Sequence, residues 1–248
     1  MVITSHDNAK IVEIVKLAQK KHRRLARRYV IEGARLVHDA MEHGAKVDAV
    51  YVSESVAGNF NFEGQVVVAD RVFNKIADTV STQGVLAVVV MDETELSAPT
   101  GNCLVLDGLQ DPGNVGTLIR TAAACGFTDV YAVNSVDVYS PKVLRAAMSA
   151  HFCVKLHEVD DIEHAFELLN GVDIVCADMD GSNVFEESFS AKTALVVGNE
   201  GNGLSDYAKS HAMRTVALPM ANGFESLNVA VAGSVVMYQI FSQSKIRR

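Results

Sequence analysis

Cysteine is scarce in this chain of 248 residues, and what there is lies scattered. Cys103, Cys125, Cys153 and Cys176 form no C-x-x-C pair. They read as small buried residues in a reducing compartment, neither disulfide partners nor zinc ligands. With no Cys/His cluster at ligand spacing, no metal is expected. No run of about 18 apolar residues occurs, which excludes a helical membrane span. The opening M-V-I-T-S-H-D-N lacks the basic and apolar regions of a secretory signal, so a cytoplasmic location is expected. Internal repeats and low-complexity segments are absent. The G-x-G-x-x-G fingerprint is missing too: G-N-V-G at 113–116 has the wrong spacing, which disfavours a nucleotide-dependent oxidoreductase.

What is present is an ordinary globular composition, 49% hydrophobic and 21% charged, long enough for one or two domains. The net charge of −8 argues against a general nucleic-acid coat protein. Its distribution matters more. Residues 1–98 hold 12 Lys and Arg against 13 Asp and Glu, and residues 99–248 hold 10 against 17. Within the first part, Lys16, Lys20, Lys21, Arg23, Arg24, Arg27 and Arg28 crowd together. Such a run can neutralise phosphates, or form a solvated helix face with Glu13 and Glu32.

The first third alternates short helices and strands: helix over 8–19, strand over 29–31, helix over 33–41, strands over 47–52 and 65–68, helix over 71–78 and strand over 85–91. That pattern predicts a small α/β domain over residues 1–95. The polar stretch 92–102, with Asp92, Glu93, Glu95, Pro99 and Gly101, marks the boundary.

Residues 96–248 read as a second α/β domain. An apolar strand over 103–106 runs into a glycine-containing loop and then a helix over 117–125. Arg120 lies in the otherwise apolar stretch L-I-R-T-A-A-A, where a half-buried guanidinium would need an anionic partner. The chain continues with a strand over 129–133, a helix over 141–148, a strand over 154–157, a helix over 162–169 and a strand over 173–177. A fully apolar strand over 194–197 precedes the glycine-rich turn G-N-E-G-N-G-L-S, in which Glu200 stands alone. A strand over 215–218 then leads to L-P-M-A-N-G-F-E-S-L-N-V-A. There a loop becomes a C-terminal helix near Ser226 and Asn228, with Leu227, Val231, Ser234 and Tyr238 at helical spacing. Continuous apolar strands separated by helices predict a mostly parallel sheet with helices on both faces.

The three loops that follow strands, D-P-G-N-V-G-T-L-I-R-T-A, V-V-G-N-E-G-N-G-L-S and L-P-M-A-N-G-F-E-S-L-N-V-A, resemble together the signature motifs of the SpoU (TrmH-like) family. These are RNA 2′-O-ribose methyltransferases of the SPOUT class. The resemblance covers residues 103–243. I-T-S-x-x-N and E-G-x-R-L-V near the start resemble the RNA substrate-binding domain often fused ahead of it, a ribosomal-protein-like fold. One departure is Asn222-Gly223, where glycine is expected one residue earlier.

The resemblance implies S-adenosylmethionine as methyl donor, a trefoil knot in the C-terminal domain, a homodimer and an RNA substrate, ribosomal in preference to transfer RNA. It implies Arg120, Asn114, Glu200, Ser226 and Asn228 as the catalytic set. Gly198, Asn199, Gly201, Leu218, Met220, Ser226 and Leu227 are implied around the cofactor. Within the basic run, Lys20, Lys21, Arg23, Arg24, Arg27 and Arg28 are the expected RNA contacts. By resemblance Arg120 activates the ribose hydroxyl. A guanidinium is too weak an acid to serve as an ordinary base, so a phosphate-clamping, hydroxyl-polarising role is preferred. A non-catalytic RNA-binding relative is the alternative, but it would be expected to lack Arg120 or Asn228.

Overall fold

The structure is a computed structural model that describes residues 2–92, 95–223 and 226–246. The chain divides into two compact units, Met1–Glu93 with Tyr139–Leu144, and Thr94–Val138 with Arg145–Arg248. Glu93 of the expected linker and Glu225 of the third motif lie outside the described residues.

Along the first part run β1 (Val2–Ile3), α1 (Ala9–Leu17), α2 (Lys20–Ala26), β2 (Arg28–Glu32), α3 (Ala34–Glu42), β3 (Val47–Ser53), β4 (Val66–Val68), α4 (Asp70–Ile76) and β5 (Val85–Val90). The strands form a mixed sheet in the order β1-β4-β3-β5-β2. Its core joins Ile11, Ile14 and Leu17 of α1 to Val72, Phe73 and Ile76 of α4 over Tyr51, Leu86 and Val88 of the sheet. Asn8 starts α1 by accepting from the Lys10 N–H at 3.0 Å, a side-chain N-cap.

The remainder contains β6 (Cys103–Asp107), α5 (Pro112–Ala124), β7 (Asp129–Val133), α6 (Pro141–Ala147), β8 (Lys155–Val159), α7 (Ile162–Leu168), β9 (Asp173–Asn183), β10 (Thr193–Gly198), α8 (Asp206–His211), β11 (Arg214–Ala217) and α9 (Val229–Ile246). Six strands line up as β11-β9-β10-β6-β7-β8, each pair parallel. β6 and β10 are buried along their whole length, as central strands covered on both faces must be. All strands being parallel, their carboxyl ends gather at one edge, and the loops after β6 and β10 leave side by side there.

Several expectations are corrected. The helix expected over 117–125 begins at Pro112, so Gly113, Asn114 and Gly116 form its first turns rather than a loop. Asp111 caps it by accepting from the Asn114 N–H at 2.8 Å, and proline at the first position is preset for a helix. The helix closes at Gly126, where Gly126 N–H reaches Ala123 O at 3.1 Å and Phe127 N–H reaches Ala122 O at 2.9 Å. β9 runs beyond residue 177 to Asn183, because its far end pairs again with β11 after a register shift. α8 was not anticipated; Ser205 caps it from the end of the glycine-rich turn.

In α9 the phase of the stripe is corrected. Leu227 and the α9 residues Val231 and Tyr238 are exposed, while Ala230, Gly233, Val236, Met237 and Ile240 face inward. The inward row follows the 3–4 spacing of a helix packed on one side. At Gly233 a Cβ would come within 2.6 Å of Leu118 on α5 and 3.3 Å of Val197 on β10. Glycine is what lets α9 lie this close to both. Of the cysteines, Cys153 is exposed, not buried as expected. Burial pushes the thiols of Cys125 up to about 11 and of Cys176 up to about 12, which leaves them unreactive.

Candidate active site

β10 delivers the second motif. Gly198 ends the strand so tightly against the returning turn that a Cβ there would lie 2.4 Å from both Gly203 C and Leu204 N. Asn199 then organises the turn. Its side-chain oxygen accepts from Gly201 N–H at 2.9 Å and Asn202 N–H at 3.0 Å. Its side-chain N–H donates to Gly108 O, just past β6, at 2.7 Å. Asp107 ties the far side of the turn by accepting from Ser205 N–H at 2.8 Å. The first and second motifs are therefore bound as one piece.

Glu200 completes that bond. One carboxylate oxygen accepts from Asp111 N–H and from the Asn114 side chain, each at 3.1 Å, and the other accepts from Gln110 N–H at 3.2 Å. Partial burial raises its pKa, but the hydrogen bonds from Asn114, its own backbone, Gln110 and Asp111 outweigh that and hold the carboxyl below its ordinary value. An ionised carboxylate with both oxygens engaged is a poor proton acceptor.

The third motif joins through Asn114. Its side-chain N–H faces Glu200, so its oxygen faces the other way and accepts from the Asn228 side chain at 3.0 Å. Asn228 in turn offers its oxygen to Ala230 N–H at 3.0 Å and Val231 N–H at 3.2 Å, capping α9. The relay from Glu200 through Asn114 and Asn228 to α9 fixes each amide's orientation, since a carboxylate only accepts and a backbone N–H only donates. Farther along, Thr121 on α5 meets Ser234 on α9 at 2.9 Å.

Arg120 differs from its expectation. It is exposed, and among the described residues it has neither a hydrogen bond nor an ion pair. It lies on the solvent side of α5, so it needs no internal anion and remains available to an external one. Ser226 is likewise exposed with no partner among the described residues. Leu218 is half-buried, and Met220 and Leu227 are exposed apolar side chains in the third motif. Asn222, the departure in that motif, takes φ 59°, a left-handed conformation that asparagine tolerates, followed by Gly223 at 70°.

Two features escaped sequence reasoning. Gln110 cross-links the loops after β6 and β7, donating to Gly108 O at 3.1 Å and Asn134 O at 2.8 Å. The middle of β9, where its ladder with β10 ends, lies between the second and third motifs, because Ala177 pairs with Val197 of β10 and β9 separates β10 from β11. It brings Asp178 and Met179, the latter 65% exposed, to the same edge. No motif flagged these residues; only the strand order does.

The expected RNA-contact set also needs one removal. Arg23 is only 4% exposed, and its guanidinium donates to Leu17 O at 2.7 Å and Ala18 O at 2.8 Å. It satisfies carbonyls at the end of α1 and is not available to phosphate. Arg28 bonds Glu13 at 2.9 Å and lies 3.4 Å from Asp48. Lys21, Arg24 and Arg27 are exposed and Lys20 is half-buried. Arg27 also donates to Asp92 O at 2.7 Å.

A wholly parallel α/β sheet with three loops meeting at one edge, tied by side chains from all three, is an architecture of the SPOUT kind. The chain belongs to the SpoU rRNA methylase family, which it matches over residues 101–238. Residues 8–87 match the MRM3-like substrate binding domain. It is 30% identical to the 23S rRNA (guanosine(2553)-2′-O)-methyltransferase RlmP of Bacillus subtilis, covering 96% of this chain and 98% of that one. Among solved structures, an AdoMet-bound rRNA methyltransferase from Sinorhizobium meliloti superposes with a TM-score of 0.84 at 28% identity, covering 97% of each chain. The SpoU methyltransferase AviRb of Streptomyces viridochromogenes, in complex with AdoMet, superposes with a TM-score of 0.85 at 25% identity, covering 95% of this chain and 98% of that one.

Proposed function

We propose that this protein transfers a methyl group from S-adenosylmethionine to a ribose 2′-hydroxyl of ribosomal RNA. The observation that carries the reading is the Glu200–Asn114–Asn228 relay, which joins the three motifs of a family member while Arg120 and Ser226 of the first and third motifs stay exposed.

The residues present suit the cofactor. Gly198, Asn199 and Gly201 offer a turn held by its own backbone, and Leu218, Met220 and Leu227 offer apolar surface for a neutral adenine. The bound sulfonium supplies an activated methyl. The chain's part is positional. Arg120 holds an RNA phosphate with its planar fork and, as a fixed cation, favours the alkoxide form of the neighbouring hydroxyl. Always protonated itself, it takes no proton, and Glu200 is too well hydrogen-bonded to take one; the proton passes to solvent. Ser226, Asn114 and Asn228 line the ribose side with uncharged hydrogen-bonding groups. Glu200, expected as catalytic, acts instead through Asn114 as a positioning residue.

Lys20, Lys21, Arg24, Arg27 and Arg28 contact the RNA. The C-terminal segment threads an earlier loop as a trefoil knot, which the close seating of α9 on α5 and β10 supports. The protein works as a cytoplasmic homodimer without metal. The exposed Val231 and Tyr238 on α9 suit a second copy, and the described residues contain no group of His, Cys, Asp and Glu side chains able to hold a metal ion. Among the described residues no helix is long and apolar enough to cross a membrane.

The test is to map 2′-O-methylation in ribosomal RNA with and without the protein, then to restore the missing mark in vitro with purified protein, S-adenosylmethionine and chelator. A mark on a base nitrogen, or binding of the cofactor with no transfer to any RNA, overturns the reading.

A further inference from the structure

The basic run is not purely basic. α2 and the residue after it place Lys21, Arg24 and Arg27 at the surface, and among them stands Leu25, 80% exposed. Lys21 and Leu25 are four residues apart and share a face of α2. α1, which packs on α2, adds Val15, 50% exposed, beside the exposed Lys16. The nearby carboxylate of Glu13 is neutralised by Arg28 at 2.9 Å. The result is a cationic ridge with aliphatic side chains set into it.

A regular RNA duplex offers such a ridge only phosphates and sugar edges, because stacking hides the base faces. A leucine held out among cations gains nothing there. It gains where a base face is open, in a loop or bulge, as apolar side chains do when they wedge against unstacked bases. We infer that the α1–α2 ridge binds an unpaired stretch of the RNA substrate, with Leu25 against a base face and Lys21, Arg24 and Arg27 on the flanking phosphates. This rests on the RNA-methylating reading above. Charge complementarity selects the partner, and the ridge lies within residues 8–87, which match a substrate binding domain.

The experiment measures full-length protein binding to a labelled RNA hairpin with an open loop and to a blunt duplex of equal length, each across a salt series. Leu25→Ala is expected to weaken hairpin binding about 10-fold, the loss of one buried leucine contact, with the salt slope unchanged and duplex binding within about twofold. Leu25→Phe, with a flat face for a base, is expected to hold or tighten hairpin binding. Lys21→Ala is expected to flatten the slope on both RNAs by about 0.7 to 0.9, one phosphate contact. Equal hairpin affinity for wild type and Leu25→Ala overturns the inference, as does an equal loss on hairpin and duplex. Leu25-dependent binding to phosphatidylglycerol vesicles with none to the hairpin would assign the ridge to a membrane surface and overturn it too. If wild type transfers no methyl to any RNA, it is the reading of function that falls. Methyl transfer with a Leu25-independent hairpin affinity removes only the ridge.

Discussion

Asn228 donates its side-chain N–H to the side-chain oxygen of Asn114 at 3.0 Å, across 114 residues of sequence. Each asparagine has a second duty. Asn114 also holds Glu200, and Asn228 also caps α9. Neither can turn without breaking a bond on its other side, so the geometry of the first motif is communicated to the start of the last helix. An amide pair can do this where a charged pair would not, because donor and acceptor ends are distinct and their order is enforced from both termini.

Glu200 should show its role in the pH dependence of stability. Its folded pKa is lowered, so its hydrogen bonds stabilise the fold in full above the carboxyl's ordinary value of 4.5, and that contribution drains away as pH falls through the lower folded value. Glu200→Gln should lower Tm near neutral pH and remove part of the acid-side slope. It turns one acceptor into an NH2 facing an N–H donor. Thermal melts from pH 3 to 7 decide it; an unchanged slope would mean that the carboxylate is not held as described.

Gly198→Ala tests the turn after β10. The added Cβ meets backbone atoms at 2.4 Å, and backbone cannot move aside as a side-chain tip can. We expect a loss of about 1–3 kcal/mol in stability and a larger loss in S-adenosylmethionine affinity, since the displaced turn carries Asn199 and Glu200. Denaturant unfolding and calorimetric titration measure the two. Wild-type cofactor affinity in the folded variant would remove the turn from the cofactor site.

Arg23 and its neighbours should separate into two classes. Arg23→Ala leaves the carbonyls of Leu17 and Ala18 without a buried donor, which should cost about 1–3 kcal/mol. Arg24→Ala and Arg27→Ala should weaken RNA binding and reduce its salt slope at a smaller cost in stability than Arg23→Ala. Urea unfolding alongside RNA titrations resolves this; a stable Arg23→Ala that loses RNA affinity would return Arg23 to the binding surface.

These residues also show how far the sequence could be read. The apolar runs of β6 and β10 announced a buried parallel sheet, since no other setting wants both strand faces apolar. The start of α5 was misread because Gly113 and Gly116 look like loop residues, although Asp111-Pro112 is a helix-start signal that outweighs them. The face of α9 was misassigned because small residues carry little hydrophobic contrast, and close approach at Gly233 leaves no mark in periodicity. Within the basic run nothing local distinguishes Arg23 from Arg24. Which one turns inward depends on where α1 ends, and that is set by packing. The Glu200–Asn114–Asn228 relay was legible only as three separate motifs, because its partners meet through the strand order.

Arg120 carries the sharpest prediction. It is exposed on α5 and pairs with nothing among the described residues, so Arg120→Ala removes no internal bond and should leave Tm nearly unchanged. S-adenosylmethionine affinity should stay within a few-fold, because the proposed role of the guanidinium is on the RNA side of the reaction. Methyl transfer should fall about 10²–10³-fold, the usual loss when one group stabilising a developing oxyanion is removed. Arg120→Lys should restore only part of it, since a point charge cannot span two phosphate oxygens as a planar fork does. Melting temperature, cofactor titration and single-turnover transfer on one preparation give the three readouts. A folded, cofactor-binding variant with near-normal turnover would take Arg120 out of the reaction and leave the motif's arginine without a role in this chain.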